Sequence, residues 1–362
     1  MINDNLIING NFDLWQRGIS FSIEQNDPLA GSTTAAPNTK LADRWYMVDT
    51  QVRAGGSTGN IQAYREAFGI NDSQFPLSRY YMTVANQISG VTQGYCYIEN
   101  KQENANAFGG IPLTISFYAK NYNSGLTGTT MSCYFRQAID PNVSEFSEQF
   151  STIQVNPYWE FTSLQFTPRF VANAGLTGEH YFSIGFKLNP QTTVSIAAVK
   201  LEFGSSSTTL FTDVEEEKKR QEKYYITTYP VGTLSKSITV TGGNDITSLA
   251  FTVTPNYSYN YKFDQPQYKT PTVSFYSPNT GITSDAYNKT AGKDMRLTSG
   301  TRGWNLTTRF SPTGASTLTT TASKYGVVFN VSTGAVVFDD ILLHLVADAD
   351  ITPGSGDRGL ET

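Results

Sequence analysis

Histidine and cysteine are scarce in this 362-residue chain, which contains two of each. No Cys-x-x-Cys pair occurs, and His180 and His344 stand far apart, so the sequence offers no zinc clip of the usual spacing. The two cysteines, Cys96 and Cys133, each lie in an apolar, aromatic run. This setting favours two buried thiols on strands, with a single disulfide as the alternative.

Charge is also sparse, because Asp, Glu, Lys and Arg make up only 16% of the residues and the net charge is −5. The densest basic cluster, residues 218–220, is flanked by the glutamates at 215–217 and 222. A protein that holds nucleic acid by counterion release needs a concentrated basic face. We therefore expect no nucleic-acid partner and no adhesion to an anionic membrane.

Long apolar runs are missing too. No segment approaches the ~20 apolar residues of a membrane span. The opening MINDNLIING has no basic stretch followed by an apolar one, so it does not read as a signal peptide. We expect no membrane insertion and no classical export. Ser, Thr, Asn, Gln and Gly replace the missing charge, which suits β-rich extracellular surfaces better than cytosolic enzymes.

What the chain does contain is a hydrophobic pattern with a period of two. Residues 113–119 (LTISFYA) and 181–188 (YFSIGFKL) alternate apolar and polar side chains, as half-buried strands do. Several similar runs follow, separated by turns rich in Gly, Asn and Pro. The pattern predicts an all-β chain of two antiparallel β-sandwich (jelly-roll-like) domains, joined by one short surface helix.

The predicted helix begins at a capping box, Thr212 to Glu215, and sets the domain boundaries. We expect a jelly-roll β-sandwich module over 1–211 and a connector helix and linker over 212–229. A C-terminal β-sandwich follows over 230–350, with a flexible tail over 351–362.

No catalytic group stands out. Residues 55–59 match G-x-S-x-G, but they lie between two predicted strands, which favours a hairpin turn over a nucleophile elbow. A glycosidase needs two carboxylates that face one cleft. No spacing selects a pair among the candidates Glu66, Glu99, Glu103, Glu145 and Glu148. We expect the protein not to be an enzyme.

An aromatic stripe is the candidate binding feature. On a strand, Tyr257, Tyr259 and Tyr261 would share one face with Phe263. One interpretation is a platform on which sugar rings stack. The alternative is that the stripe packs into a core or a subunit interface.

Three spaced signatures give the chain a likeness to a known family. They are NLIINGNFDLWQRG from residue 5, ADRWY from residue 42, and VKLEFG from residue 199 with TTLF behind it. Together they resemble the jelly-roll module of bacteriophage virion proteins, chiefly tail fibres. The matching positions, which the resemblance implies are structural, are Trp15, Arg17, Asp43, Arg44, Trp45, Glu202 and Gly204. We expect Trp15 and Trp45 to share one core, with Arg17 or Arg44 beside Asp43.

The resemblance implies a non-enzymatic virion subunit of tail-fibre type that attaches to host-surface glycans. Its partners would be other virion proteins and a glycan, and it would form a homo-oligomer, a trimer in most such proteins. The second domain would carry receptor binding. The alternative is a capsid decoration or head-fibre protein. A polysaccharide-degrading spike is disfavoured, because the chain lacks both the carboxylate pair and a β-helix repeat.

Residues 9–13 also resemble the opening of jelly-roll carbohydrate-binding modules, some of which hold calcium there. Asn11 and Asp13 offer the hard oxygen ligands that calcium prefers. A turn closed by an Asx hydrogen bond is the alternative. No other cofactor is expected.

Overall fold

A computed structural model describes sixteen stretches of the chain. They are 5–23, 38–53, 55–69, 79–104, 107–122, 129–140, 145–170, 180–208, 213–230, 233, 247–252, 257–289, 292–300, 303–306, 316–332 and 340–350. The described residues fall into two compact units. The first takes those up to Trp15 and Ile19–Glu217, and the second takes Gln16–Gly18 and Lys218–Asp350. The tail expected over 351–362 lies outside the described residues.

The first unit is an antiparallel β-sandwich of two six-stranded sheets. Its strands are β1 (Ser20–Ile23), β2 (Asn38–Lys40), β3 (Trp45–Asp49), β4 (Val52–Arg53), β5 (Ile61–Ala67), β6 (Tyr80–Asn86), β7 (Val91–Gln93), β8 (Cys96–Glu103), β9 (Leu113–Asn121), β10 (Thr129–Asp140), β11 (Glu145–Val155), β12 (Glu160–Phe166), β13 (Tyr181–Leu188) and β14 (Thr192–Phe203). We call the sheet ordered β1-β5-β6-β14-β9-β12 the front sheet, and the sheet ordered β11-β10-β13-β8-β3-β2 the back sheet. A small third sheet pairs β4 with β7.

One hydrophobic core fills the space between the front and back sheets. Phe117 of β9 meets Phe186 of β13 edge to face, with ring centroids 4.9 Å apart. Trp45 stacks on the other side of this group, 6.3 Å from Phe186. Cys96 and Cys133 lie fully buried in the same core as free thiols, and burial raises the pKa of both. The thiol interpretation, not the disulfide, therefore matches the structure.

The second unit is smaller, and its strands join in one ten-stranded antiparallel sheet. Its strands are β15 (Tyr225–Thr227), β16 (Leu249–Thr252), β17 (Tyr257–Lys262), β18 (Thr272–Tyr276), β19 (Asp285–Asn288), β20 (Lys293–Gly300), β21 (Gly303–Leu306), β22 (Ser316–Ser323), β23 (Gly326–Ser332) and β24 (Asp340–Asp348). Strand β24 pairs with β15, β16, β18 and β19. Phe275 of β18 packs on Phe329 of β23, 5.4 Å between ring centroids, within the core of this unit.

The helix α1 (Val214–Glu222) starts one residue later than the predicted capping box requires. The carboxylate of Asp213 accepts the amide hydrogens of Glu215 and Glu216, so Asp213 is the N-cap. Thr212 itself lies outside the described residues. In the described part of the chain, no helix has the length and hydropathy of a membrane-spanning segment.

The fold class predicted from the sequence is confirmed, and strand β13 has the predicted bounds. The hairpin predicted at residues 55–59 is wrong. The loop joins β4 to β5, but β4 pairs with β7 while β5 pairs with β1 and β6. Strand pairing depends on partners distant in the chain, which a local turn signal does not report.

Candidate functional site

The outer face of the front sheet carries aromatic side chains from four strands and the loops beside them. Strand alternation sends Ile61, Ala63 and Val84 into the core and leaves their neighbours outside. We call this the aromatic face, and it comprises Tyr64, Phe68, Tyr81, Tyr118, Trp159 and Phe161. The register sets Phe161 opposite Tyr118.

Small polar side chains form the floor between these rings. Thr83 lies opposite Tyr64 on one side and Ser195 on the other. The Thr83 hydroxyl donates to Glu66 Oε2 over 2.5 Å and lies 2.8 Å from Ser195 Oγ. Because the one proton of Thr83 goes to the carboxylate, Ser195 is the donor in the second bond. The floor is therefore a continuous hydrogen-bonded row.

Trp159 reaches across this floor. Its ring centroid is 5.1 Å from that of Tyr81 and 5.5 Å from that of Phe68, and those two rings are 4.8 Å apart. Strands β14 and β9 lie between β6 and β12, and Ser195 and Ala197 on β14 carry no bulky side chain that would block this contact. Edge and tilted contacts at these distances are the favoured geometry for aromatic groups. The three rings therefore hold one another in place.

Other rings of this face are open to solvent. Phe161 is 48% exposed, and two neighbours in nearby turns, Tyr122 and Tyr158, are 53% and 63% exposed. Burial, with the charge of Glu66 adding to it, raises the pKa of Tyr64, so its hydroxyl keeps its proton. Exposed ring faces beside hydroxyl and carboxylate groups can stack on a flat apolar surface and hydrogen-bond to its rim.

The outer face of the back sheet has related side chains but is closed. Glu99 and Lys101 are fully buried there, with 3.1 Å between Lys101 Nζ and Glu99 Oε1. The hydroxyl of Tyr134 donates to Glu99 Oε2 over 2.8 Å. The Lys101 ammonium also lies 4.7 Å from the ring centroid of Tyr181. This network satisfies two charges that would be costly to bury alone.

The predicted carboxylate candidates are scattered over these faces. Glu66 is on the aromatic face, whereas Glu99 is buried on the back sheet, where Glu148 also pairs with Arg136 over 2.9 Å. Glu103 ends β8, and Glu145 begins β11.

The tyrosine stripe lies on β17 of the second unit. Tyr259 and Tyr261 are half-buried and pack against the core of that unit, and the Tyr259 hydroxyl donates to the carbonyl of Thr252. Burial raises the pKa of Tyr261, with smaller contributions from Asp264 and Glu222. The side chain of Tyr257 lies outside those described. Sugar binding by the stripe stays a prediction.

The signature residues of the first unit converge around Asn9. Its side chain bonds to the amide and carbonyl of Leu14 and to the carbonyl of Asp43. Its own carbonyl accepts the indole hydrogen of Trp45, and its amide donates to Glu217 of α1. Trp15 lies in the same core as Trp45. The first two signatures thus meet at a single residue.

The remaining signature positions make defined contacts. Arg17, counted with the second unit, bonds to Asp350 over 2.6 Å. Arg44 is buried and donates to the carbonyl of Lys101. Glu202 accepts the amide and hydroxyl of Thr208, 2.7 and 2.6 Å away. The carbonyl of Gly204 accepts the Thr114 hydroxyl, and Gly204 has a φ of +93° that favours glycine.

The proposed calcium ligands lie in the same N-terminal segment. Asn11 is buried, and burial raises the pKa of Asp13 to about 6, against the opposing charge of Arg79. Among the described residues, no three His, Cys, Asp or Glu side chains form a metal-binding group. Calcium at Asn11 and Asp13 stays a prediction.

The sequence did not indicate the aromatic face. Tyr64 and Glu66 alternate on β5 and Phe68 follows just after it, but the other rings come from segments distant in the chain. A search for exposed-side aromatic residues at alternate positions would have found members on β5 and β9. It could not have paired them with Trp159.

No protein-family model matches this chain, and no curated protein does. Among solved structures, it is similar to the enzymatically active domain of tailspike protein 4 of bacteriophage CBA120. That match has a TM-score of 0.31 and 14% identity, and it covers 44% of this chain and 19% of the tailspike chain.

Two carbohydrate-binding modules are similar at the same level. A family 11 module of a cellulosomal cellulase from Clostridium thermocellum matches with a TM-score of 0.30 and 14% identity, covering 48% of this chain and 99% of the module. A xylan-binding domain from Paenibacillus barcinonensis matches with a TM-score of 0.29 and 9% identity, covering 49% and 100%. Likenesses this distant leave function to be argued from the aromatic face.

Proposed function

We propose that the protein binds glycans through the aromatic face of its first sandwich, as a non-enzymatic subunit of a phage virion of tail-fibre type. The observation that carries glycan binding is the set of exposed and half-exposed rings around Trp159, set beside a hydrogen-bonded row of Glu66, Thr83 and Ser195. Pyranose rings present apolar C–H faces and hydroxyl rims, which match such a surface. The virion role is supported by the three sequence signatures.

Shallow contacts of this kind are weak one at a time. Several copies in one assembly would multiply them, because each further contact is made at high local concentration. We therefore include homo-oligomerisation, as a trimer, in the proposal.

Glycan binding is tested with Phe161→Ala, measured as affinity of the full chain for a panel of soluble polysaccharides. Removing the exposed ring should weaken binding by about fivefold or more, since a stacking ring contributes on the order of 1 kcal/mol. Phe150→Ala is the matched control. Phe150 is 49% exposed, also lies on the edge strand of its sheet, and belongs to the back sheet. Equal losses in both variants, or no loss in either, would contradict the proposed site.

The absence of catalysis is part of the proposal. Support comes from Glu66 and Glu99, which lie on opposite outer faces of the sandwich and share no cleft. Incubation with each bound polysaccharide should release no reducing ends. Release that survives purification and is lost in Glu66→Gln would make the protein a degrading enzyme.

The virion role is tested by immunogold electron microscopy of intact particles. Gold at the tail is expected for a fibre-type subunit. Gold over the head would replace the tail-fibre assignment with a capsid decoration or head-fibre protein.

A further inference from the structure

Lys120 lies on the aromatic face, and its position bears on which glycans the face accepts. Lys120 lies on β9 directly opposite Ser195. Its ammonium is 5.3 Å from the centroid of Trp159, within the range of a cation–π contact. The positive charge therefore stands beside the ring that organises the face.

No carboxylate neutralises this charge within the part of the chain that the structure describes. Glu66 is on the same face, but its carboxylate accepts the Thr83 hydroxyl, two strands away from Lys120. Glu160 lies beside Trp159 in sequence, and its carboxylate accepts a hydrogen bond from the Asn156 side chain over 2.6 Å. Among the described residues, Lys120 thus forms no ion pair and stands as a positive charge next to a stacking surface.

We infer that the face selects anionic glycans, whose carboxylate or phosphate groups lie against Lys120 while a sugar ring stacks on Phe161. This inference rests on the proposed glycan-binding function. A charge-assisted hydrogen bond from an ammonium to an oxyanion is stronger than a neutral one, and an adjacent indole displaces competing water. The sugar ring supplies the stacking, and the acidic group supplies the preference.

A second lysine gives a matched control. Lys187 of the back sheet lies 3.7 Å from the centroid of Tyr95 and 5.3 Å from that of Phe150. It repeats the lysine-over-ring arrangement away from the aromatic face. Replacing it changes the net charge of the protein by the same amount as replacing Lys120.

The experiment measures affinities of the full chain for three probes at one ionic strength: a neutral glucan, a polyuronate and a teichoic acid. The wild-type protein should prefer at least one anionic probe to the glucan. Lys120→Gln should weaken that binding by about three- to tenfold. Lys120→Arg should retain it, and Lys187→Gln should leave it unchanged. A polyuronate preference identifies a carboxylate ligand, and a teichoic acid preference identifies a phosphate ligand.

A mutational readout is sharper than salt dependence here. Added salt screens the attraction to Lys120, but it also screens the repulsion between a polyanion and a protein of net charge −5, so the two effects oppose each other. Equal affinity of Lys120→Gln and wild type for the anionic probes overturns the inference. Binding of the wild-type protein to the glucan alone also overturns the inference. If that glucan binding is lost in Phe161→Ala, the proposed glycan-binding function stands without a preference for anionic glycans. If no probe binds wild type, both fail.

Discussion

Each sheet of the first sandwich turns tyrosine, lysine and glutamate side chains away from the shared core, but the two outer faces differ in how those groups are satisfied. On the back sheet, Glu99, Lys101 and Tyr134 satisfy one another and are fully buried. On the front sheet, Glu66 engages only the floor, and Lys120 faces a ring. Similar composition thus gives a closed face whose charges satisfy one another, and an open face whose charges remain available.

The largest expected effect separates the two lysines. Lys101→Ala should cost about 3–5 kcal/mol of unfolding free energy, because it leaves the Glu99 carboxylate buried without its counter-ion. Lys120→Ala should stay within about 0.5 kcal/mol, because Lys120 is partly exposed and forms no ion pair among the described residues. Urea denaturation of both variants measures the difference. Similar losses would show that the two faces are not different in kind.

A smaller effect is expected from Gly185 at the centre of the closed face. A Cβ there would lie 2.2 Å from the carbonyl oxygen of Ile98 and 2.8 Å from the Tyr134 hydroxyl. Gly185→Ala should therefore destabilise the protein by roughly 1–3 kcal/mol, the cost of overpacking. Ser163→Ala, at an exposed position of the front sheet, is the control and should be neutral. A neutral Gly185→Ala would mean that the closed face has room to adjust.

The smallest expected effect is on the stability of the protein at low pH. Burial acts to raise the pKa of Glu202, but the hydrogen bonds from Thr208 and the charge of Lys200 outweigh it and leave the pKa below its usual value of 4.5. The stabilisation is therefore complete above about that pH and is lost as pH falls through the lower folded-state pKa. Glu202→Gln should remove this part of the pH dependence. The measurement is the free energy of unfolding of wild type and Glu202→Gln from pH 7 down to pH 3. A difference between the two proteins that does not change with pH would contradict the prediction.

More of the fold than of the candidate site could be predicted from the sequence. Alternation identified β9 and β13 because one face of each strand is apolar and packs into the hydrophobic core between the sheets, and periodicity reports that contrast between apolar and other side chains. The aromatic face depends instead on the order of strands in the sheet. Tyr81 contacts Trp159 because the Trp159 side chain reaches across β14 and β9, which lie between β6 and β12. The tyrosines of β17 formed a candidate site in the sequence because they occupy alternate positions of a single short segment. The alternating pattern shows that these side chains share one face, but it does not show that Tyr259 and Tyr261 pack against the core.

The contacts of the N-terminal segment also bear on how the molecule is made. The carbonyl of Gly10 accepts the amide of Val199, and the Asn5 side chain bonds to both Val199 and Leu201. Asn5 and Gly10 leave the ribosome well before Val199 and Leu201, which emerge only after nearly all strands of the sandwich have been synthesised. A nascent chain that stops before β14 therefore holds an opening segment with nothing to pair with. This unit can complete its fold only after its last strand has been synthesised. Until then the unpaired segment is exposed to chaperones.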